Sequence, residues 1–160
     1  VERPRLDEQE SLLQAGAKLA EREAIGLASS LYHDPDDVQA RFKLIGFYIE
    51  KMYSEGRVDP VLFDQLQWLI RRCPDLPLFS SVAGAYGVLD RDQLLSMFKT
   101  LLELEPHELW PVPINAEILL DSMTAAKVFR MNEAEAFYRR LYSTGDWPPT
   151  RPEPESTSET

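Results

Sequence analysis

Residues 34–74 read DPDDVQARFKLIGFYIEKMYSEGRVDPVLFDQLQWLIRRCP. Val38, Phe42, Ile45, Ile49 and Met52 recur at spacings of 4, 3, 4 and 3, which places them on one face of a helix. Asp34-Pro35-Asp36-Asp37 has the chemistry of a helix start. Asp34 can cap, Pro35 suits the first helical position, and the acids complement the positive helix end. Gly56 is a natural stop. Asp59-Pro60 then repeats the start, and the next helix, to Cys73, carries an apolar stripe of Leu62, Leu66, Leu69, Ile70 and Cys73.

The same pattern extends outward in both directions. Leu6 to Gln14 reads as an outlying helix before Gly16. Ala17 to Tyr32 follows, with Ala20, Ala24, Leu27 and Leu31 on one face. Gly26 and Ser30 lie beside that stripe and would let another helix approach closely. Pro77, Gly84 and Gly87 punctuate the stretch after Pro74, which allows a short helix near Ser80 to Tyr86. Asp90-x-x-Gln93 resembles a capping box, and Leu94, Phe98, Leu101 and Leu102 share a side of the helix it opens. Beyond the prolines at 106, 111 and 113, helices are expected from Ile114 to Phe129 and from Asn132 to Gly145. Period-2 alternation and Asn-Gly or Asp-Gly turns are absent, so strands are not expected.

The expected fold is therefore all-α, with stacked antiparallel helical hairpins and about six to seven helices. Residues 1–16 read as an N-terminal extension, 17–145 as the helical hairpin domain and 146–160 as a Pro-rich acidic tail. The tail holds too little apolar area to offset its ordering entropy, so disorder is expected there. Its Pro149-Thr-Arg-Pro152 matches PxxP, a weak docking signal beside the default of a spacer. The chain starts at Val1, which leads to the expectation of a removed leader or an excised fragment. The compartment stays open, with the cytoplasm favoured.

Three helix ends share a pattern of two apolar residues one turn apart, then proline. They are Leu27/Leu31/Pro35, Leu66/Ile70/Pro74 and Phe98/Leu102/Pro106, with offsets of 39 and 32 residues between the prolines. Such periods suit arrays of helical hairpins. On these residues, and above all on LLSMFKTLLELEP at 94–106, the chain resembles the tetratricopeptide-repeat superfamily. The resemblance implies Phe98 and Leu101 at packing positions of a second repeat helix. The period is irregular and the first-helix Trp, Leu-Gly and Tyr pattern is absent, which leaves an irregular solenoid and a compact bundle as alternatives.

Composition narrows the function classes. The 160 residues carry a formal net charge of −10, with 44% hydrophobic and 28% charged residues. That charge opposes binding to a phosphate backbone, so no nucleic-acid partner is expected. The chain has no apolar run of membrane-spanning length, so direct membrane insertion is not expected either. Cys73 alone cannot build a Cys-based zinc site, and with only His33 and His107 besides, a site would need carboxylates to complete it, so no metal is expected. Gly84-x-x-Gly87 is a fragment of a glycine-rich loop without its flanking strand or Lys-Ser/Thr, and no cofactor follows from it. No catalytic residues stand out.

The reading is then a non-catalytic interaction or scaffold domain that binds a partner protein or peptide through a helical groove. Trp68 lies well off the apolar stripe of its helix and close to Arg72, as an exposed anchor would. The competing reading packs it on a neighbouring hairpin. Arg41 and Tyr48 are candidates for the same groove, and Trp110, between prolines, is a further candidate. The alternative function is a helical enzyme or small-ligand receptor with a polar site at Asn115, Glu117 and Asp121. Asp121 interrupts the apolar run of Ile118, Leu119, Leu120 and Met123. Its ordinary reading is a surface acid. A third possibility is a structural segment of a longer polypeptide.

Overall fold

A computed structural model describes residues 2–74, 76–103 and 121–123. The protein is all-α. Among the described residues there are six helices and no strand: α1 Leu6–Ala17, α2 Glu21–Ser30, α3 Val38–Glu55, α4 Pro60–Arg72, α5 Ser80–Tyr86 and α6 Arg91–Leu102, with 121–123 also helical. The tail and the helices expected beyond Pro106 lie outside the described residues, apart from 121–123.

Helix α3 is the centre. It packs against α1, α2, α4 and α5. A helix with neighbours on several sides must be apolar around most of its circumference. Val38, Ala40, Phe42, Leu44, Ile45, Tyr48, Ile49 and Met52 are accordingly all buried. Burying a Leu, Ile or Phe side chain contributes about 1.5–3 kcal/mol, so this one helix supplies a large share of the driving force.

Helices α1 and α3 approach closely, and the contact runs through two glycines. A Cβ on Gly16 would strike the backbone carbonyl of Lys43, and a Cβ on Gly46 would strike that of Leu13. Each glycine thus faces the main chain of the other helix. Helix α1 runs through to Ala17, so a boundary between residues 16 and 17 falls inside it. The N-terminal helix is part of the core rather than an outlying extension, with Leu13 buried and Leu12 half-buried against it. Gly26, expected to mark a close helix approach, instead faces open space.

Local signals explain the ends of most elements. The Asp59 carboxylate accepts from Val61 N–H at 2.9 Å and Pro60 opens α4. Gly56 closes α3 with φ 75°, a backbone conformation that suits glycine. Gln93 N–H donates to Asp90 Oδ1 at 2.8 Å, and Asp90 N–H donates to Gln93 Oε1 at 3.0 Å, which is the expected capping box.

Three local expectations need correction. Helix α3 begins at Val38, three residues past the expected proline start, because Asp37 rather than Asp34 accepts from Ala40 N–H at 3.1 Å. Asp34 and Pro35 form a turn instead, closed by Asp37 N–H donating to the Asp34 carbonyl. The helix expected from Ala17 starts only at Glu21. Residues 18–20 break it, and the Glu23 carboxylate accepts from Ala20 N–H at 2.9 Å to open α2. On α6 the buried side includes Leu94, Met97 and Thr100, while Phe98 is only half-buried.

Of the later helices, α6 joins the core through α4, while α5 packs on α3 and also bonds to α4. Leu62, Leu66, Leu69, Ile70 and Cys73 are buried, as their spacing predicts. Tyr86 of α5 is fully buried and its hydroxyl donates to the Leu66 carbonyl at 3.2 Å. Desolvation drives that phenol pKa far above its ordinary value, so it stays protonated. Between α4 and α6 the Gln67 amide donates to Ser96 Oγ at 3.3 Å and to Thr100 Oγ1 at 3.0 Å.

The glycines should separate by sign. Gly46→Ala places a methyl against a main-chain carbonyl that cannot move aside, and should cost about 3 kcal/mol or more. Gly26→Ala adds a methyl in open space within α2, and should stabilise by about 0.5–1 kcal/mol. Denaturant melts of the two variants check this, and equal effects would contradict the close approach.

Candidate functional site

The Asp34–Asp37 turn aims the Pro35 carbonyl at α3. The Arg41 Nε donates to it at 2.9 Å, and Arg41 Nη1 donates to Gln65 Oε1 on α4 at 2.8 Å. With two polar anchors, the guanidinium lies over the Trp68 ring, 4.4 Å from its centroid. Gln65 and Trp68 are one turn apart on α4, so a single face of that helix presents both the amide and the ring. Arg41 and Gln65 are buried, and Trp68 is half-buried against the core.

Burial is the main influence on Arg41 and pulls its pKa down, while Asp36, Asp37 and Asp64 push it back up. The guanidinium stays charged, since arginine titrates far above neutrality. Asp64, exposed at the edge of the cluster, has a raised pKa. Partial desolvation is the main cause, Arg41 opposes it and Asp59 adds to it. Arg72 Nη2 and Asp36 Oδ2 meet at 3.3 Å, with side chains 46% and 52% exposed. A pair that open to solvent contributes little stability.

The sequence candidates therefore divide. Arg41, Trp68 and Arg72 come to one region, where α3, α4 and the 34–37 turn meet. Trp68 is not the fully exposed anchor expected from its angle on the helix. It packs partly on the core and partly under Arg41, because the helix wheel of α4 alone does not show that α3 covers that flank. Tyr48 lies on the same side of α3 as Arg41 but seven residues on, about 10 Å along the axis. It is buried, with its ring edge-on to Phe47 at 4.9 Å and Lys51 Nζ 5.7 Å from its centroid. Its phenol pKa is raised, chiefly by burial and then by Asp59 and Glu21. Tyr48 is thus a core residue rather than a wall of an open groove.

Trp110, Asn115 and Glu117 lie outside the described residues. Asp121 is exposed while Met123, two residues on, is fully buried. That places Asp121 at the surface. Gln65 and Asp36 are members of the cluster that sequence reasoning missed. The signal for Gln65 was present: a polar residue directly before the buried Leu66, on the flank that carries Trp68.

Other surfaces carry less chemistry. One hollow is lined by Glu2, Arg3, Pro4, Glu8, Leu12, Val38 and Gln39. Another is lined by Ala17, Glu21, Phe47, Glu50, Lys51 and Ser54. Among the described residues no group of three or more His, Cys, Asp or Glu is placed to hold a metal ion. No described helix is long and apolar enough to cross a membrane.

Asp64 gives this cluster a pH signature. Its folded-state pKa is above the unfolded value, so the folded chain holds the proton more tightly. The stability it contributes is full below the unfolded carboxylate pKa and is lost as pH rises through the folded one. Asp64→Asn should therefore stabilise the protein at neutral pH relative to wild type and not at acid pH, by a small amount because the group is exposed. Denaturant melts across the carboxylate range measure this, and a pH-independent gap would exclude the assignment. Against known proteins, no family model matches the chain, and neither does any curated protein or solved structure.

Proposed function

We propose that this chain is a non-catalytic interaction domain that binds a protein or peptide partner where α3, α4 and the 34–37 turn meet. In this reading α3 and α4, joined through residues 56–59, form one hairpin of a tetratricopeptide-like stack. The observation that carries the proposal is the Arg41–Trp68 pair. Trp and Arg are enriched among residues that dominate binding energy. Here the arginine is already held by the Pro35 carbonyl and Gln65, so a partner would meet an ordered surface and lose less side-chain entropy on binding. The exposed Arg72–Asp36 pair lies at the rim and supplies charge for orientation. Because Trp68 is half-buried, the contact surface would be its exposed edge together with Arg72, Asp36 and Asp64.

The test is affinity capture by the whole chain with paired variants. Arg72→Glu should leave the melting temperature close to wild type, since an exposed pair contributes about 0–1 kcal/mol. It should nonetheless reduce recovery of the partner at least tenfold. Trp68→Ala should do the same with a larger loss of stability, from the core contact and from uncovering Arg41. Tyr53→Ala, at an exposed position elsewhere on α3, should change neither. Partners recovered equally by wild type, Arg72→Glu and Trp68→Ala would refute this surface.

A further inference from the structure

Gln9 is a polar residue on an early helix with no solvent exposure at all. A buried side-chain amide is costly unless its hydrogen-bonding groups are met. Here they are met by backbone, one group nearby at Pro4 and two far along the chain at Pro77 and Phe79. Nε2 donates to the Pro4 carbonyl at 3.0 Å and to the Pro77 carbonyl at 2.8 Å, and Oε1 accepts from Phe79 N–H at 2.9 Å. The orientation of the amide is unambiguous. Reversing it would set oxygen against two carbonyls and nitrogen against an N–H. Proline 77 lacks an N–H, and Phe79 immediately precedes α5, whose first N–H groups have no partner within the helix. Residues 76–79 are therefore tied to α1 and have no regular structure of their own.

We propose that α1 and the 76–79 segment form a latch closed by Gln9, so that lifting α1 from α3 releases the start of α5. The two ends of α1 have different tasks. Its C-terminal end sits on α3 at Gly16, and Gln9, two turns earlier, grips the α4–α5 connection. Apolar packing of Leu76, Leu78 and Phe79 then keeps the segment near the core, while Gln9 sets its backbone path. This inference is independent of the proposed partner surface.

The test is residue-resolved amide hydrogen exchange on the whole chain. Leu12→Ala weakens the seating of α1 through a half-buried side chain. Gln9→Met keeps the bulk of the amide and removes its hydrogen bonds. In the wild-type background Leu12→Ala should speed exchange of the Phe79 amide on the order of tenfold, with the Ile70 amide of α4 unchanged. In the Gln9→Met background the Phe79 amide should already exchange fast, and adding Leu12→Ala should change it less than twofold, as residues coupled in one unit behave. An unchanged Phe79 amide in Leu12→Ala would overturn the latch. So would an equal acceleration in both backgrounds, or a parallel rise at Ile70, which would mean that α1 lifts only when the whole domain unfolds.

Discussion

The main chains of α1 and α3 touch, and the rest of the arrangement follows from that contact. Two side-chain-free positions line the crossing, Gly16 against the backbone of Lys43 and Gly46 against that of Leu13. With α1 drawn in so closely, α3 has a neighbour on a flank that would otherwise face water. Its circumference must then be apolar, and ten of its residues are buried. The remaining sides of α3 carry α2, α4 and α5.

Local chemistry was readable in the sequence because it acts over three or four residues. Asp59 and Pro60 open α4, Gly56 closes α3, and Asp90 and Gln93 exchange hydrogen bonds as their spacing indicates. The Asp34–Asp37 turn was harder. Four consecutive residues each suit a helix start, and the choice of Asp37 depends on where Pro35 meets Arg41. Gly16 and Gly46 were not readable as a pair. Each looks like an ordinary helix interruption until the other helix is placed against it, thirty residues away in the chain. Gly26 shows the converse, since the same residue type beside an apolar stripe has nothing near it. Gln9 was invisible for the same reason, because two of its three partners lie 68 and 70 residues away.

The candidate surface was partly legible. Trp68, Arg72 and Arg41 could be named from the helix wheel and from residue type, but not the placement of the Arg41 guanidinium over the Trp68 ring. That geometry depends on how deeply α3 sits beside α4. An arginine forced into this space keeps its charge and obtains compensation from a carbonyl, an amide oxygen and a ring face. Lysine would not substitute for it. An ammonium lacks the planar fork that reaches two acceptors while its charge stays over the indole.

The contact between α4 and α6 differs in kind from the apolar layers around α3. Leucine surfaces can slide past one another by a turn and still bury comparable area. A single amide that reaches two hydroxyls, one turn apart at Ser96 and Thr100, disfavours such a slip, because either displacement parts it from a hydroxyl in a half-buried seam. Thr100 is nearly inaccessible, and its hydroxyl also donates to the Ser96 carbonyl. The Gln67 seam adds little net cohesion. It acts as a vernier, selecting one alignment of α6 among several of similar greasiness, so the uniqueness of this corner of the fold rests on polar matching rather than on the amount of surface removed from water.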